Sequence, residues 1–270
     1  MDTVSKHNNS IDLDTRKLIS CRYKSITKAV NQEFWNSSSE TEHSLYVGSY
    51  GRGTATKSSD LDVLLSLPQG EYKRYDAYKG NGQSRLLQAV KNAVGRAYSR
   101  TNVHADGQVV VVQFSDSMRF ELLPAFKQTD WNGRTSFIYP DSNMGGNWKP
   151  ADPKAEQEAM RVKNSESNGL LFDTCKHIRL IHSSRFSSYE LSGIVIDSFV
   201  YSTMGAWHWA ESGISSSPDG EYERMLYSTF NSRSMNGLFS FSLSAPGSQQ
   251  TVNVEKSLSC LGKVLKYMAE

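Results

Sequence analysis

The chain has 270 residues, enough for one large domain or for two lobes sharing a core. With 38% hydrophobic and 21% charged residues it has the composition of an ordinary globular protein, and a net charge of +2 argues against holding nucleic acid by bulk charge. Cys21, Cys175 and Cys260 are far apart and odd in number, which excludes a disulfide framework or a cysteine metal site and points to a reducing, cytoplasmic compartment. Met1 to Ser10 is polar, with no apolar core of a signal peptide, and no run approaches the roughly 18 apolar residues of a membrane span, so no membrane partner is expected.

In chain order, Ile19, Tyr23, Ile26, Val30 and Phe34 recur at three- and four-residue spacing and predict one face of a helix from about Asp14 to Phe34. Ser44 to Val47 is a short apolar run broken by Gly48-Ser49. Leu61 to Leu67 reads as a strand ending at Pro68, and Ser84 to Tyr98 as a helix with Leu87, Val90 and Ala97 on one face. The Lys73-Arg74 and Lys79 region reads as a solvated loop. Val109 to Phe114 and Met118 to Leu122 predict two strands joined at Ser115-Asp116-Ser117. Tyr139 to Pro153, with its prolines and Gly145-Gly146, reads as a long connection between lobes. Beyond it, Pro153 to Asn164, Leu170 to Ser183, Glu190 to Gly205 and a final run through Leu258 and Met268 carry helical periodicity, and Ala245-Pro-Gly-Ser248 is a turn. The expected architecture is α+β: a lobe with a mixed sheet over 1–145, led by the long helix, and a mostly helical lobe over 146–270.

The chemistry concentrates in the first part. Asp60 and Asp62 are two apart at the start of a strand, so both carboxylates face one way while Leu61 and Val63 face the other. Two like charges this close repel unless a cation lies between them. The competing reading is a solvated strand face. Glu121 sits in Arg119-Phe-Glu-Leu-Leu-Pro124, a later strand of otherwise apolar character, and can complete a three-acid metal site; alternatively it is a strand acid pairing with Arg119 on the same face. Gly48-Ser49, a dozen residues before Asp60, supplies a turn whose backbone can approach an anion closely and whose hydroxyl can add a bond, with Gly51 and Gly53 keeping the following loop open. Gly-Ser alone carries little; Gly-Ser, Asp-x-Asp and a third acid in this order are a strong combination.

Val47-Gly-Ser-Tyr-Gly-Arg-Gly-Thr54 and Ser59-Asp-Leu-Asp-Val-Leu-Leu65 together resemble the nucleotidyltransferase pattern of the DNA polymerase β superfamily. Further segments, among them Phe120-Glu-Leu-Leu-Pro-Ala-Phe126, Gly145-Gly-Asn-Trp-Lys-Pro150, Gly193-Ile-Val-Ile-Asp197 and Ala245-Pro-Gly-Ser248, narrow the resemblance to the cGAS/DncV-like nucleotidyltransferases, bacterial enzymes that make cyclic oligonucleotide second messengers, over about Asp14 to Ala269.

That resemblance implies a two-lobed cage with the active site in the cleft. It implies two Mg²⁺ ions (Mn²⁺ being an alternative) on Asp60, Asp62 and Glu121, where many relatives have Asp as the third acid. It also implies ATP and other ribonucleoside triphosphates as substrates, with attack of one nucleotide's hydroxyl on another's α-phosphate and release of pyrophosphate. A basic residue on a helix of the second lobe is expected on the triphosphate; Lys176 and Arg179 compete, with Arg179 favoured by the spacing and a solvated helix face as the rival reading. Ser188-Tyr189 resembles a pair in which the serine touches phosphate and the tyrosine stacks on a base; a helix N-cap followed by a packing tyrosine is the alternative, and Tyr201 is the rival stacking residue. Trp207-His208-Trp209 reads as core packing, and His104, His177 and His182 lack partners at ligand spacing. The family's setting is antiphage defence, with regulatory or effector protein partners and no expected nucleic-acid activator. Two other functions compete: a nucleotidyltransferase acting on an RNA end, small molecule or protein, and a catalytically decayed nucleotide sensor.

Overall fold

A computed structural model describes residues 2–8, 11–211, 214, 217–235 and 241–270. They form two compact units. One comprises 12–51 and 60–153; the other comprises 1–11, 52–59 and 154–270, so the chain leaves and re-enters the first unit between Gly51 and Asp60.

The first unit is built on a mixed sheet. Helix α1 (Leu13–Phe34) is capped by the Asp12 carboxylate, which accepts from Thr15 N at 2.8 Å, and buries Ile19, Ile26 and Val30. Then come β1 (Ser44–Tyr46), the single turn α2 (Gly48–Gly51), β2 (Leu61–Ser66), α3 (Gln69–Asp76), α4 (Gly82–Ala97), β3 (Asn102–Asp106), β4 (Val109–Gln113), β5 (Arg119–Thr129), β6 (Thr135–Asp141) and β7 (Asn147–Ala151). The strand order is β1-β2-β5-β4-β3, with β6 continuing from the far end of β5 and β7 pairing with β6. The β2–β5 pair is parallel and the other pairs are antiparallel. The hairpin expected at Ser115-Asp116-Ser117 is present, Phe114 N donating to Met118 O at 2.9 Å. Helices α1 and α4 pack on each other and against the sheet. One face of β2 and β5 carries Leu61, Val63, Phe120 and Leu122, all buried; on the other, Leu64 and Ala125 join Val47 and Phe137 in a small apolar cluster.

Two stretches of this unit differ from the sequence expectation. Lys73 and Arg74 lie on α3 rather than in a loop, because Pro68 opens the helix and Tyr75 is buried beneath it. The expected connection from Tyr139 to Pro153 is largely a β-hairpin, in which Ile138 faces Pro150 and Pro140 faces Trp148. Pro150 is tolerated because β7 is an edge strand. The turn uses Gly146 at φ +97, where a Cβ would run into the side chains of Gln83 and Asn81.

The second unit is mainly helical: α5 (Pro153–Glu166), α6 (Leu170–Arg185), α7 (Gly193–Thr203), α8 (Glu221–Met235) and α9 (Leu258–Ala269), with a two-stranded ribbon of β8 (Leu243–Ser244) and β9 (Thr251–Val252). Its core gathers Leu171, Ile178, Phe199, Leu226, Leu261 and Leu265. Helix α7 begins at Gly193, not Glu190; Ser192 is its N-cap residue and residues 187–189 form a turn. The segment 2–8 packs into this unit: Val4 is part of the core, and its N–H donates to Glu223 Oε1 at 2.8 Å. Trp209 is buried and its Nε1 donates to Asp173 Oδ2 at 3.0 Å, in line with the packing role expected of Trp207-His208-Trp209. Among the described residues no helix is long and apolar enough to cross a membrane, and all three cysteines are free.

Candidate active site

The parallel register of β2 and β5 places Asp62 directly beside Glu121, on one face of adjacent strands. Neighbours in such a register project to the same side of the sheet. Asp60, just before β2, extends the line, and Arg119, two residues before Glu121 on the same face, reaches it with Nε 3.8 Å from Asp60 Oδ2. The Asp60 carboxyl is pushed above the ordinary carboxylate range, first by burial and then by the neighbouring negative charge of Glu121, against the pull of Arg119. The two aspartates that share a face by their spacing are thus joined on that face by Glu121, and Arg119 supplies a balancing charge to Asp60 and Glu121.

Gly48 joins this cluster from the other side. Val47 N donates to Asp62 O at 2.9 Å, which ties the end of β1 to β2, and Gly51 N donates to Val47 O at 2.9 Å, which closes the turn. Gly48 has φ +57, a left-handed conformation, and a Cβ there would overlap the Asp62 carboxylate. The glycine is therefore required twice, by its dihedral and by its contact with the second acid. Ser49 is buried immediately after it.

An all-carboxylate oxygen donor set suits a hard divalent ion such as Mg²⁺. Among the described residues no three His, Cys, Asp or Glu side chains converge into a ready set of metal ligands. At Glu121, Oε1 accepts from Arg119 Nη2 at 2.5 Å and from Nε at 3.0 Å, so a guanidinium engages one oxygen of the third acid. The donors fit the ion in chemistry and lie on one face of the sheet, and an internal positive charge holds one of them.

The remaining candidates lie in the helical unit. Arg179 is buried on α6, with Nη1 2.8 Å from Asp197 Oδ1 and Nη2 donating to Gly193 O at 2.9 Å. Asp197, fully buried on α7, is shared with Arg52, whose Nε lies 2.9 Å from Oδ2, while Arg52 Nη1 also meets Glu156 at 2.9 Å. Thr54 Oγ1 donates to the same Oδ2 at 3.0 Å. Burial works to raise the Asp197 carboxyl, but Arg179 and Arg52 outweigh it and hold it below the ordinary value. Lys176, one turn before Arg179, is half-buried and donates to His7 O at 3.4 Å. Ser188 and Tyr189 are exposed in the turn before α7; Lys263 Nζ lies 5.0 Å from the Tyr189 ring centroid. Tyr201 is half-buried against the core.

The spacing argument missed Arg52 and Asp197. A lone Asp in the apolar run Gly193-Ile-Val-Ile-Asp-Ser-Phe-Val200 was the available signal, since a buried charge requires a partner. Gly53 does not keep its loop open: its Cα side faces the Phe172 ring, where a Cβ would collide. His177 does have a partner, with Nδ1 3.1 Å from His7 Nε2, but it is a histidine 170 residues away in sequence.

The family model described as the Second Messenger Oligonucleotide or Dinucleotide Synthetase domain matches residues 2–164, more than half of the chain. The chain belongs to this family. A probable cyclic nucleotide synthase of Bacillus cereus (strain VD146) is 23% identical over 192 residues, 67% of this chain and 56% of that protein, so the chain spans little more than half the length of this curated relative. The Elizabethkingia meningoseptica CdnE cyclic dinucleotide synthase, solved with GTP and Apcpp, superposes with a TM-score of 0.68 at 14% identity, covering 96% of this chain and 93% of that one. The Vibrio cholerae dinucleotide cyclase DncV superposes with a TM-score of 0.60 at 10% identity, covering 99% and 86%. At such identities the superpositions establish the fold, which is the polymerase β-like one with a mixed sheet anticipated from Gly48-Ser49 and Asp60-Leu-Asp62. Within this synthetase family, the matched span contains the glycine turn and all three acids but ends before α6, so it leaves Lys176, Arg179, Ser188 and Tyr189 outside.

Proposed function

We propose that the protein is a metal-dependent nucleotidyltransferase that joins ribonucleoside triphosphates, ATP among them, into a cyclic di- or trinucleotide or short oligonucleotide messenger with release of pyrophosphate. The observation that carries this reading is the parallel register that sets Asp62 beside Glu121 with Gly48 packed on the Asp62 carboxylate. A triphosphate-binding turn and a row of acids in direct contact are what transfer between nucleotides needs, because that chemistry depends on positioning and charge neutralisation more than on a protein nucleophile. Asp60, Asp62 and Glu121 would hold two Mg²⁺ ions, which supply charge neutralisation and a lowered pKa for the attacking hydroxyl.

The chain's own groups do the rest. The backbone of the Gly48 turn and the Ser49 hydroxyl bind phosphate oxygens. Lys176 supplies the second-lobe cation. Its rival Arg179 is committed to Asp197 and to backbone carbonyls, which supports Lys176 for the role over the residue that the spacing favoured. Tyr189 is the better candidate for stacking on a base, since its ring is exposed and Tyr201 is packed against the core. The intact acids favour an active enzyme over a decayed sensor. A role in antiphage signalling is the corresponding biological reading.

Mass spectrometry of the products from a mixture of the four ribonucleoside triphosphates with Mg²⁺ tests the function. The expected product is a phosphatase-resistant cyclic oligonucleotide accompanied by stoichiometric pyrophosphate. Pyrophosphate release without any nucleotide–nucleotide product would overturn the reading in favour of transfer to another acceptor.

A further inference from the structure

Arg119 is the charged side chain at the acid row that the proposed reaction does not use. Its guanidinium is bonded twice to Glu121 Oε1, at 2.5 Å and 3.0 Å, and stands 3.8 Å from Asp60 Oδ2, so one cation bridges the first and third acids. The contact is local to one strand face: Arg119 and Glu121 are two residues apart on β5, and the side chains are only partly covered, at 34% and 25% exposure. An arginine in this position has room to leave. It carries the charge that a row of carboxylates requires, but it ties up a ligand that a metal ion needs.

We propose that Arg119 is an internal counter-cation of the acid row, released from Glu121 when a divalent ion binds, and that it thereby sets the ion concentration at which the site fills. The proposal rests on the reading of Asp60, Asp62 and Glu121 as metal ligands. Its physical content is a competition. A divalent ion that takes Glu121 Oε1 displaces the two guanidinium contacts, and one that takes Oε2 meets the guanidinium's positive charge beside it, so the apparent affinity is reduced in either case. With the guanidinium gone, the mutual repulsion of the carboxylates is less compensated and favours binding of the ion. With lysine in its place the positive charge stays but the two-bond fork is lost, because an ammonium is a compact point charge on a flexible stem.

The test is Mn²⁺ binding to the nucleotide-free protein, followed by electron paramagnetic resonance of the free ion, with Mg²⁺ competition. The wild type is compared with Arg119→Met, Arg119→Lys and the double variant Asp60→Asn with Asp62→Asn, each checked for folding by circular dichroism. Arg119→Met is expected to bind Mn²⁺ roughly fivefold more tightly, the equivalent of about 1 kcal/mol for a part-exposed ion pair. Arg119→Lys is expected to fall between the two. Unchanged or weaker binding by Arg119→Met overturns the proposal, as does Arg119→Lys binding identically to wild type, which would reduce the effect to distant charge. The double variant separates the proposal from its premise. If it loses Mn²⁺ while Arg119→Met is unchanged, only the role of Arg119 fails. If it binds Mn²⁺ as well as wild type, the three-acid metal site fails and the competition with it.

Discussion

Replacing Arg179 and Lys176 in turn by methionine separates a structural cation from a substrate-binding one. Arg179 is 8% exposed at its side chain and Asp197 is 0% exposed, so Arg179→Met leaves a fully buried carboxylate with Arg52 as its remaining cationic partner. Breaking a buried ion pair costs about 3–5 kcal/mol; because Arg52 and Thr54 still contact Asp197, the lower end applies. For a protein of this size about 3 kcal/mol corresponds to a melting temperature lower by roughly 6–12 °C. Lys176 is half-buried on the same helix, and its described hydrogen bond is a long one, 3.4 Å to His7 O. Lys176→Met should move the melt less than Arg179→Met, because it strands no fully buried carboxylate, while loss of a charge-assisted contact of about 1.5–3 kcal/mol weakens triphosphate binding roughly 10- to 100-fold. Differential scanning fluorimetry together with calorimetric titration of a non-hydrolysable triphosphate reads both quantities on the same samples. If Arg179→Met melted like wild type and lost nucleotide affinity, the buried network would have been misread and Arg179 would be the phosphate contact.

Three further expectations concern the acid row, the glycine turn and the sheet. Gly48→Val should abolish product formation, because its Cβ meets the Asp62 carboxylate and its left-handed backbone costs an L-residue about 1–2 kcal/mol; Ser49→Ala should raise the triphosphate Kd roughly tenfold, and normal nucleotide affinity in both variants would remove the turn from the site. Glu121→Gln should lower kcat and kcat/KM together with little change in nucleotide affinity, whereas a residue that merely pairs with Arg119 would cost at most about 1 kcal/mol of stability and no turnover. Asp141 is held down to about 2, chiefly by the Lys149 ammonium at 2.5 Å, opposed by its burial. Its folded pKa lies below the unfolded one, so the stabilisation is complete above roughly pH 4 and disappears as pH falls through about 2. In urea unfolding the gap between wild type and Lys149→Met should accordingly narrow below pH 4, and a gap independent of pH would rule out the ion pair as its source.

Much of the site could be read from local pattern. Asp60 and Asp62 announce themselves by a period of two, and Gly48-Ser49 by a break between two apolar runs, because strand geometry and glycine turns are short-range properties. The pairing of Asp62 with Glu121 is another matter: it depends on β5 lying parallel to β2, a register between strands nearly sixty residues apart that no local period encodes. Glu121 stands out as an acid in an otherwise apolar strand, but its register against Asp62 does not. Arg179 shows the opposite failure. A Lys/Arg pair three apart on a helix looks alike at both positions, and only the packing of α7 decides that one cation meets a buried Asp197 while the other stays half-exposed. The hairpin of β6 and β7 was hidden by its prolines, which signal a loop unless the strand lies at an edge. The attachment of residues 2–8 to the helical unit had no visible signal beyond a single apolar Val4 in a polar stretch.

The Arg52–Asp197 bond joins residues 145 apart in sequence. During translation Arg52 emerges long before its counter-charge exists. At roughly 5–20 residues per second the ribosome needs on the order of ten to thirty seconds to cover that interval. Until then Arg52 can meet Glu156 but not the fully buried carboxylate that it shares with Thr54. The contacts of Arg52 and Thr54 to Asp197 thus form only after α7 has been synthesised. A fragment ending before Asp197, even one carrying Gly48, Ser49, Asp60, Asp62 and Glu121 together, lacks the buried carboxylate that holds Arg52 and Thr54.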